Sequence, residues 1–251
     1  MPARLKNIVS NALRPGFFGT MVTKVLRRSE PDTRASATAW ARERALDIGD
    51  WCSGNDAALW RDVLAGSATL EADALQRIAA TGEELGGGGA HPLLSFVVRR
   101  YKPTVVVETG VAAGWSSRAI LEALEINGGG ELYSSDFPYF RLEQPERFIG
   151  VVVPDELRSR WSLDVRGDRR ALPAIAQKVD RVDLFHYDSD KSVGGRRFAL
   201  GVVQPKLAPG AIILMDDIQD NMFFADWVTS QHLPHLVFGF GGKFVGAVGL
   251  N

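Results

Sequence analysis

The sequence predicts an α/β protein built on a doubly wound, mostly parallel sheet of seven strands. From about residue 90 onward, short apolar runs rich in β-branched residues alternate with longer segments of helical periodicity. Glycines follow the first of these runs directly, as in turns that hold nucleotide-like ligands. The chain closes with two apolar runs around Gly241-Gly242, which predicts a terminal antiparallel hairpin.

Strands and helices are predicted to alternate over most of residues 90–251. Strands are predicted over residues 105–108, 131–135, 161–165, 182–187, 211–215, 236–240 and 243–250. The helices among them are predicted over residues 92–101, 116–126, 171–179, 196–207 and 221–231. Residues 140–160 fit neither pattern, and a stretch of that length predicts a substrate loop.

The N-terminal third has a different character. Residues 35–48, 57–64 and 69–85 have helix-favouring patterns, and the run Gly86 to Gly89 marks a flexible break. We therefore expect residues 1–89 to form a helical lid or oligomerisation segment and residues 90–251 to form the main domain.

Composition excludes several classes of protein. A net charge of −1 over 251 residues gives no whole-chain argument for nucleic-acid binding. Cys52 is the only cysteine, so neither an intramolecular disulfide nor a cysteine zinc cluster is available, and a reducing cytoplasm is favoured. No apolar run reaches the roughly 18 residues of a membrane span, and no signal-peptide pattern is present.

A basic arm precedes Glu30, with no acidic residue among its six cationic side chains: Arg4, Lys6, Arg14, Lys24, Arg27 and Arg28. Such an arm suits either an anionic membrane or a helical lid or oligomer contact. We favour the second interpretation because Pro15-Gly16 breaks any long helix.

The glycine turn after the first predicted strand reads Glu108-x-Gly110-x-x-x-Gly114-Trp-Ser. Its glycines permit a tight turn and a close approach of the backbone to a ligand, although the dinucleotide pattern G-x-G-x-x-G is absent. Ser116 suits a ligand contact or a helix N-cap. Asp136 closes the second strand, where a carboxylate can accept hydrogen bonds from both hydroxyls of a ribose.

A second group of acids follows two strands expected to be neighbours. Asp188 ends the fourth predicted strand, and Asp216-Asp217 end the fifth. At a strand spacing of roughly 5 Å, three carboxylates without counter-charges would repel one another. Mg²⁺ or another divalent cation, which prefers oxygen ligands, would resolve this repulsion. The alternative is that these acids cap strand ends or pair with Arg196 and Arg197.

These motifs, in this order, resemble those of class I S-adenosylmethionine-dependent methyltransferases. The D-x-D at residues 188–190 and the D-D at residues 216–217 resemble metal-dependent bacterial sugar O-methyltransferases of the macrocin O-methyltransferase type. The E-x-G-x-x-x-G-W-S motif and the later acidic pair are similar to those of catechol O-methyltransferase. The resemblance covers roughly residues 90 to 251.

The resemblance implies a Rossmann-like methyltransferase sheet, S-adenosylmethionine as cofactor and a specific set of site residues. The cofactor-binding residues would be Glu108, Gly110, Gly114, Ser116, Asp136, Asp168 and Asp188, with Asp168 near the adenine. The metal ligands would be Asp188, Asp216 and Asp217. The general base would be Asp190 in the sugar-enzyme pattern or Lys191 in the catechol-enzyme pattern; Asp190 is preferred, and physical argument alone leaves the choice open.

The function predicted from these motifs is Mg²⁺-assisted methyl transfer to a hydroxyl of a small molecule. A sugar or another vicinal diol of natural product biosynthesis is the expected acceptor, although Lys191-Ser-Val-Gly-Gly195 stands where sugar-type relatives often have His or Tyr. The alternatives are a metal-independent methyltransferase, an NAD-dependent oxidoreductase and a non-catalytic binding protein of the same fold. Self-association is left open.

Overall fold

The computed structural model describes residues 31–250 together with Asn7, Ser10 and Asn11. The cationic side chains of the basic arm and its Pro15-Gly16 break lie outside the described residues. Within the described part of the chain, no helix is both long enough and apolar enough to cross a bilayer.

Seven helices and eight strands make up the regular structure of the described residues. The helices are α1 (Arg34–Arg44), α2 (Ile48–Thr81), α3 (His91–Tyr101), α4 (Trp115–Ile126), α5 (Asp168–Lys178), α6 (Val193–Val203) and α7 (Phe223–Ser230). The strands are β1 (Ala45–Asp47), β2 (Val105–Thr109), β3 (Glu131–Ser135), β4 (Trp161–Asp164), β5 (Val182–Tyr187), β6 (Leu207–Met215), β7 (His235–Phe240) and β8 (Lys243–Val248). The predicted substrate loop, residues 140–160, contains two 3₁₀ turns, Pro145–Phe148 and Asp155–Arg160.

All eight strands form one sheet in the order β1-β7-β8-β6-β5-β2-β3-β4. Every pairing is parallel except those of β8, which runs antiparallel to both β6 and β7. The predicted fold class, a mostly parallel sheet with a terminal antiparallel hairpin and a helical N-terminal segment, is confirmed.

The sheet has one strand more than predicted. Residues 45–47 lie within a stretch predicted as helix, but they form β1 and pair in parallel with β7. Alanine and leucine favour a helix locally, yet pairing with an open sheet edge outweighs so weak a preference. The Asp47 side chain then accepts a hydrogen bond from the Asp50 backbone N–H at 2.9 Å, which caps the start of α2.

The two helices predicted over residues 57–64 and 69–85 belong to one longer element, α2. This helix is interrupted at Asp56, whose backbone is extended and whose side chain accepts from the Leu59 N–H at 3.0 Å, as an N-cap does. The helix ends at Gly82, which has the left-handed conformation common at helix C-termini. The division into a lid and a main domain at residue 89 stays a prediction.

The core consists of two apolar layers, one on each face of the sheet. Alternate residues of a strand point to opposite faces, so Val106 packs with α2, α3 and α4, whereas Val107 packs with α1, α5, α6 and α7. Both faces are therefore covered, which explains the apolar run of residues 105–107 in β2.

The strand order reverses next to β2, which pairs with β3 on one side and with β5 on the other. Ligands of open α/β sheets bind at such a switch point, beyond the carboxyl ends of the strands. Gly110 follows β2 directly with φ = +83°, and a Cβ there would overlap the backbone carbonyl of Asp188 beyond β5. Only glycine fits this position.

We expect Gly110→Ala to lower the free energy of unfolding by at least about 1 kcal/mol, because it adds a steric clash to a strained backbone. Gly66→Ala is the control: Gly66 lies inside α2, and a Cβ added there would meet no atom within 4 Å, so alanine should stabilise by up to about 1 kcal/mol. Urea denaturation measures both. Equal effects of the two substitutions would contradict a packing role for Gly110.

Candidate active site

Glu108 organises the turn between β2 and α4. Its carboxylate is fully buried and accepts hydrogen bonds from the hydroxyls of Ser116 at 2.5 Å, Ser117 at 2.6 Å and Ser134 at 2.8 Å. The first two serines lie in the first turn of α4 and the third in β3. Glu108 thus ties the start of the helix to two strands.

Gly114, rather than Ser116, occupies the N-cap position of α4, so the N-cap alternative for Ser116 is wrong. Gly114 has φ = +100°, and a Cβ on it would lie 2.7 Å from the Cα of Gly150. This glycine lets residues 150–153 pack against the turn, and backbone bonds from Gly150 and Val152 to the carbonyls of Ala112 and Ala113 hold them there.

Asp136 lies where predicted, directly after β3. Its two carboxylate oxygens accept from the Ala112 N–H at 2.7 Å and the Phe137 N–H at 2.6 Å. Burial nevertheless raises the pKa of Asp136 to about 7, with the backbone bonds opposing the rise and the charges of Asp168 and Glu108 adding to it.

Asp136 lines a cavity of about 240 Å³ at the switch point, here called the Asp136 cavity. Asp168 also lines it, and its carboxylate accepts from the hydroxyls of Ser135, at 2.7 Å, and Ser189. The remaining walls come from the turn after β2, from Phe137, from residues 167–169 and from residues 188–190.

A second cavity of about 120 Å³, the Asp216 cavity, adjoins the first and shares Gly110, Ala112 and Asp188 with it. Asp216 and Asp217 line this second cavity, as does Ser116. Its other walls are the glycine loop 87–90 and three aromatic side chains, Trp115, Phe240 and Phe244.

The acids of the Asp216 cavity have cationic partners. β5 and β6 are neighbours as predicted, which places Asp188, Asp216 and Asp217 at one edge of the sheet. The Lys191 ammonium contacts Asp188 and lies 3.2 Å from an Asp217 oxygen, and the Lys243 ammonium lies 3.1 Å from the other. The expectation of carboxylates without counter-charges is therefore wrong.

The pKa values of this cluster follow from burial and mutual charge. Burial and the charge of Asp216 raise the pKa of Asp188 to about 6, although Lys191 acts in the opposite direction. Burial lowers the pKa of Lys191, but the carboxylates of Asp188 and Asp217 outweigh it and the net shift is upward. Lys191 is thus held as an ammonium ion at neutral pH.

This arrangement does not fit a bound divalent cation. The oxygen donors suit Mg²⁺ chemically, but two lysine side chains supply the positive charge that the sequence argument assigned to a metal. Across Asn7, Ser10, Asn11 and residues 31–250, no group of three or more His, Cys, Asp or Glu is arranged to hold a metal ion. The metal role of Asp188, Asp216 and Asp217 stays a prediction.

His186, which sequence reasoning did not select, lies on the floor of the Asp216 cavity. It is buried in β5 with Nδ1 3.5 Å from a Glu108 oxygen and Nε2 3.7 Å from an Asp216 oxygen. Burial disfavours the charged ring, but the two carboxylates outweigh it and raise the pKa to about 10. A histidine among the apolar residues Leu184, Phe185 and Tyr187 of a central strand was the signal that could have identified it.

Arg196 and Asn221 hold the two acidic loops together. Buried Arg196 donates to the backbone carbonyls of Asp217 at 2.7 Å and Asp216 at 3.2 Å, rather than to their carboxylates. Asn221 accepts from Arg196 and from the Phe223 N–H, and it donates to the Lys191 carbonyl at 2.7 Å. Asp217, with φ = +53°, therefore has its strained backbone supported from both sides.

The two predicted bases lie in different surroundings. Asp190 lines the Asp136 cavity, and its carboxylate accepts from the Ser192 N–H at 3.1 Å. Lys191 instead contacts the acids of the Asp216 cavity.

Part of the chain is similar to a known protein family. Residues 107–218 match a family model described as a methyltransferase domain. A comparison with curated protein sequences found no match.

Solved structures similar to this chain include several methyltransferases. The O-methyltransferase from Bacillus cereus in complex with S-adenosylhomocysteine has 15% identity and a TM-score of 0.54, over 80% of this chain and 96% of that one. The O-methyltransferase TomG from Streptomyces achromogenes is involved in tomaymycin synthesis and was solved with S-adenosylmethionine. It has 15% identity and a TM-score of 0.55, over 71% of this chain and 88% of TomG. A methyltransferase from Geobacter sulfurreducens has 19% identity and a TM-score of 0.54, over 72% of this chain and 90% of the Geobacter protein.

At such low identity these structures establish the fold, and the family model adds the domain type. The recognition made from the motifs is confirmed at the level of the class I methyltransferases: residues 107–218 match a methyltransferase domain model, and the chain has the fold of S-adenosylmethionine-dependent O-methyltransferases.

Proposed function

We propose that this methyltransferase moves the methyl group of S-adenosylmethionine to a hydroxyl oxygen of a small-molecule acceptor. The observation that carries the proposal is that the Asp136 and Asp216 cavities adjoin and share Gly110, Ala112 and Asp188. A cofactor whose ribose lies at Asp136 can present its sulfonium at the shared residues, with the acceptor in the second cavity. O-methyltransferases among the similar structures support oxygen as the acceptor atom.

The cofactor roles follow from this placement. Asp136 accepts from the ribose hydroxyls, Asp168 lies at the adenine end, and Asp188 lies at the junction of the cavities. Gly110 allows close approach of the backbone, while Glu108 with Ser116, and Gly114 by its packing, fix the turn. Each assignment is a proposal that rests on the shape and polarity of the cavity.

In the proposed step the acceptor oxygen attacks the methyl carbon, an O–C bond forms as the C–S bond breaks, and S-adenosylhomocysteine leaves. Placing oxygen, carbon and sulfur in line is the largest task, because positioning can remove several kcal/mol of barrier. The acceptor proton passes to a base. We assign this role to the neutral form of Lys191, which contacts the acids of the Asp216 cavity, because Asp190 lines the cofactor-side cavity. At neutral pH Lys191 is charged, and in that form it stabilises the developing alkoxide.

The acceptor class is proposed from the walls of the Asp216 cavity. Three aromatic side chains beside a cluster of charges suit a small ring with neighbouring hydroxyls, such as a sugar or a catechol. The role of TomG in tomaymycin synthesis makes natural product biosynthesis a reasonable setting. A cytoplasmic location and self-association stay predictions.

Magnesium assistance is the second candidate mechanism, because Asp188, Asp216 and Asp217 all line the acceptor-side cavity. We expect methyl transfer to persist after exhaustive EDTA treatment, since Lys191 and Lys243 already balance these charges. The assay measures S-adenosylhomocysteine formation with a panel of catechols and vicinal-diol glycosides. Activity that EDTA abolishes and Mg²⁺ restores would select the metal-assisted mechanism; no turnover with any acceptor would favour a non-catalytic binding protein.

The general base can be identified by comparing Lys191→Met with Asp190→Asn. We expect Lys191→Met to lower kcat by about 100-fold or more and to remove the rise of kcat with pH, because only the neutral amine accepts the proton and the raised pKa of Lys191 confines that form to alkaline pH. Asp190→Asn should keep the wild-type profile. The reverse pattern would assign the base to Asp190, and full activity of both variants would exclude both.

Cofactor affinity should depend on the ionisation of Asp136. Since its pKa is raised to about 7, the carboxyl group is largely protonated below that pH, whereas ribose hydroxyls donate best to the ionised form. S-adenosylhomocysteine should therefore bind about tenfold more tightly at about pH 8 than at about pH 6. Calorimetry should show weaker and pH-independent binding for Asp136→Asn, with NAD as a control ligand that does not bind. Preferential binding of NAD would support the oxidoreductase alternative.

A further inference from the structure

One wall of the Asp136 cavity is formed by an irregular segment, residues 137–142, here called the 137–142 loop. Phe137 lines the cavity, and its ring lies 4.8 Å, centroid to centroid, from that of Phe140. Phe137 also packs closely on Gly167, because a Cβ at Gly167 would lie 2.9 Å from the Phe137 ring. The position of Phe137 therefore depends on how the rest of the loop is held.

The N-terminal segment holds this loop through Asn11. The Asn11 side chain is buried, and its amide nitrogen donates to the carbonyl oxygens of Phe140 and Leu142, both at 2.9 Å. Both amide hydrogens are thus used on two carbonyls that flank Arg141. Asn7, one helical turn earlier, donates to the Arg141 carbonyl at 3.3 Å.

The loop belongs to no helix or strand, and its own backbone contributes a turn in which the Leu142 N–H donates to the Tyr139 carbonyl at 2.9 Å. Arg141 reaches the Glu84 carbonyl with its side chain. A buried carbonyl deprived of its donor costs free energy, so without Asn11 the loop would shift toward solvent and carry Phe140 and Phe137 with it.

We propose that Asn11 is a positioning residue for cofactor binding, which fixes the 137–142 loop so that the Phe137 wall of the Asp136 cavity is formed before the cofactor arrives. Asn11 then contributes indirectly to the cofactor site through its hydrogen bonds to this loop. This inference rests on the proposed function only in placing the adenosyl group in that cavity. A preformed wall strengthens cofactor binding, because the conformational entropy of the loop is lost during folding and not when the cofactor binds.

The test compares S-adenosylhomocysteine binding to Asn11→Asp and Asn11→Ala by calorimetry. Aspartate has nearly the shape of asparagine but cannot donate to the two carbonyls, and alanine removes the side chain without adding charge. We expect both variants to bind about tenfold more weakly than the wild type. Asn127→Asp is the matched control, since Asn127 likewise donates to a carbonyl, that of Val98 at 2.8 Å, but lies at the far end of α4 from the glycine turn.

A second readout reports on the loop itself. Trypsin cleavage after Arg141 should be about tenfold faster in the Asn11 variants than in the wild type or Asn127→Asp, because native-state cleavage follows local opening. Wild-type affinity in the Asn11 variants, or an equal loss in Asn127→Asp, would overturn the proposal, as would failure of both Asn11 variants to fold. Failure of the wild type to bind S-adenosylhomocysteine would instead overturn the proposed function.

Discussion

The site depends on the satisfaction of one buried carboxylate, that of Glu108. An ionised carboxylate removed from water costs several kcal/mol unless hydrogen bonds and opposite charge replace its hydration. Three serine hydroxyls and the nearby ring of His186 provide that replacement. Because the donors come from β3, β5 and the first turn of α4, satisfying Glu108 fixes the geometry of the glycine turn between them.

Charge alternates outward from Glu108 across the acceptor side of the site. His186 lies between Glu108 and Asp216, and Lys191 lies between Asp188 and Asp217. Each acid therefore has an imidazole ring or an ammonium group beside it, which offsets the repulsion among the carboxylates. The cluster combines strong local fields with little net charge, a setting suited to stabilising a transient oxyanion.

Much of the fold could be predicted because local patterns and tertiary structure agree. The strands β3 and β5 begin and end at the predicted residues, and Asp136 and Asp188 follow them as expected. Residues that act through distant partners could not be found in this way. The pairing of Lys243 with Asp217 depends on β8 lying beside β6 in the sheet, and the contact of Asn11 with Phe140 joins residues far apart in the chain. The strand β1 was missed because pairing with β7 overrides its helical composition.

The brevity of β1 has a consequence for how copies of the protein can meet. A long open edge strand would offer a row of backbone donors and acceptors to another sheet, whereas β1 adds only Ala45 to Asp47 beyond β7 and then turns directly into the capped start of α2. Few backbone groups of β1 are therefore available for hydrogen bonding to a strand of another molecule. This flank of the molecule is therefore protected from fibre-like growth by continuation of the sheet, and any assembly through it would have to use helix surfaces.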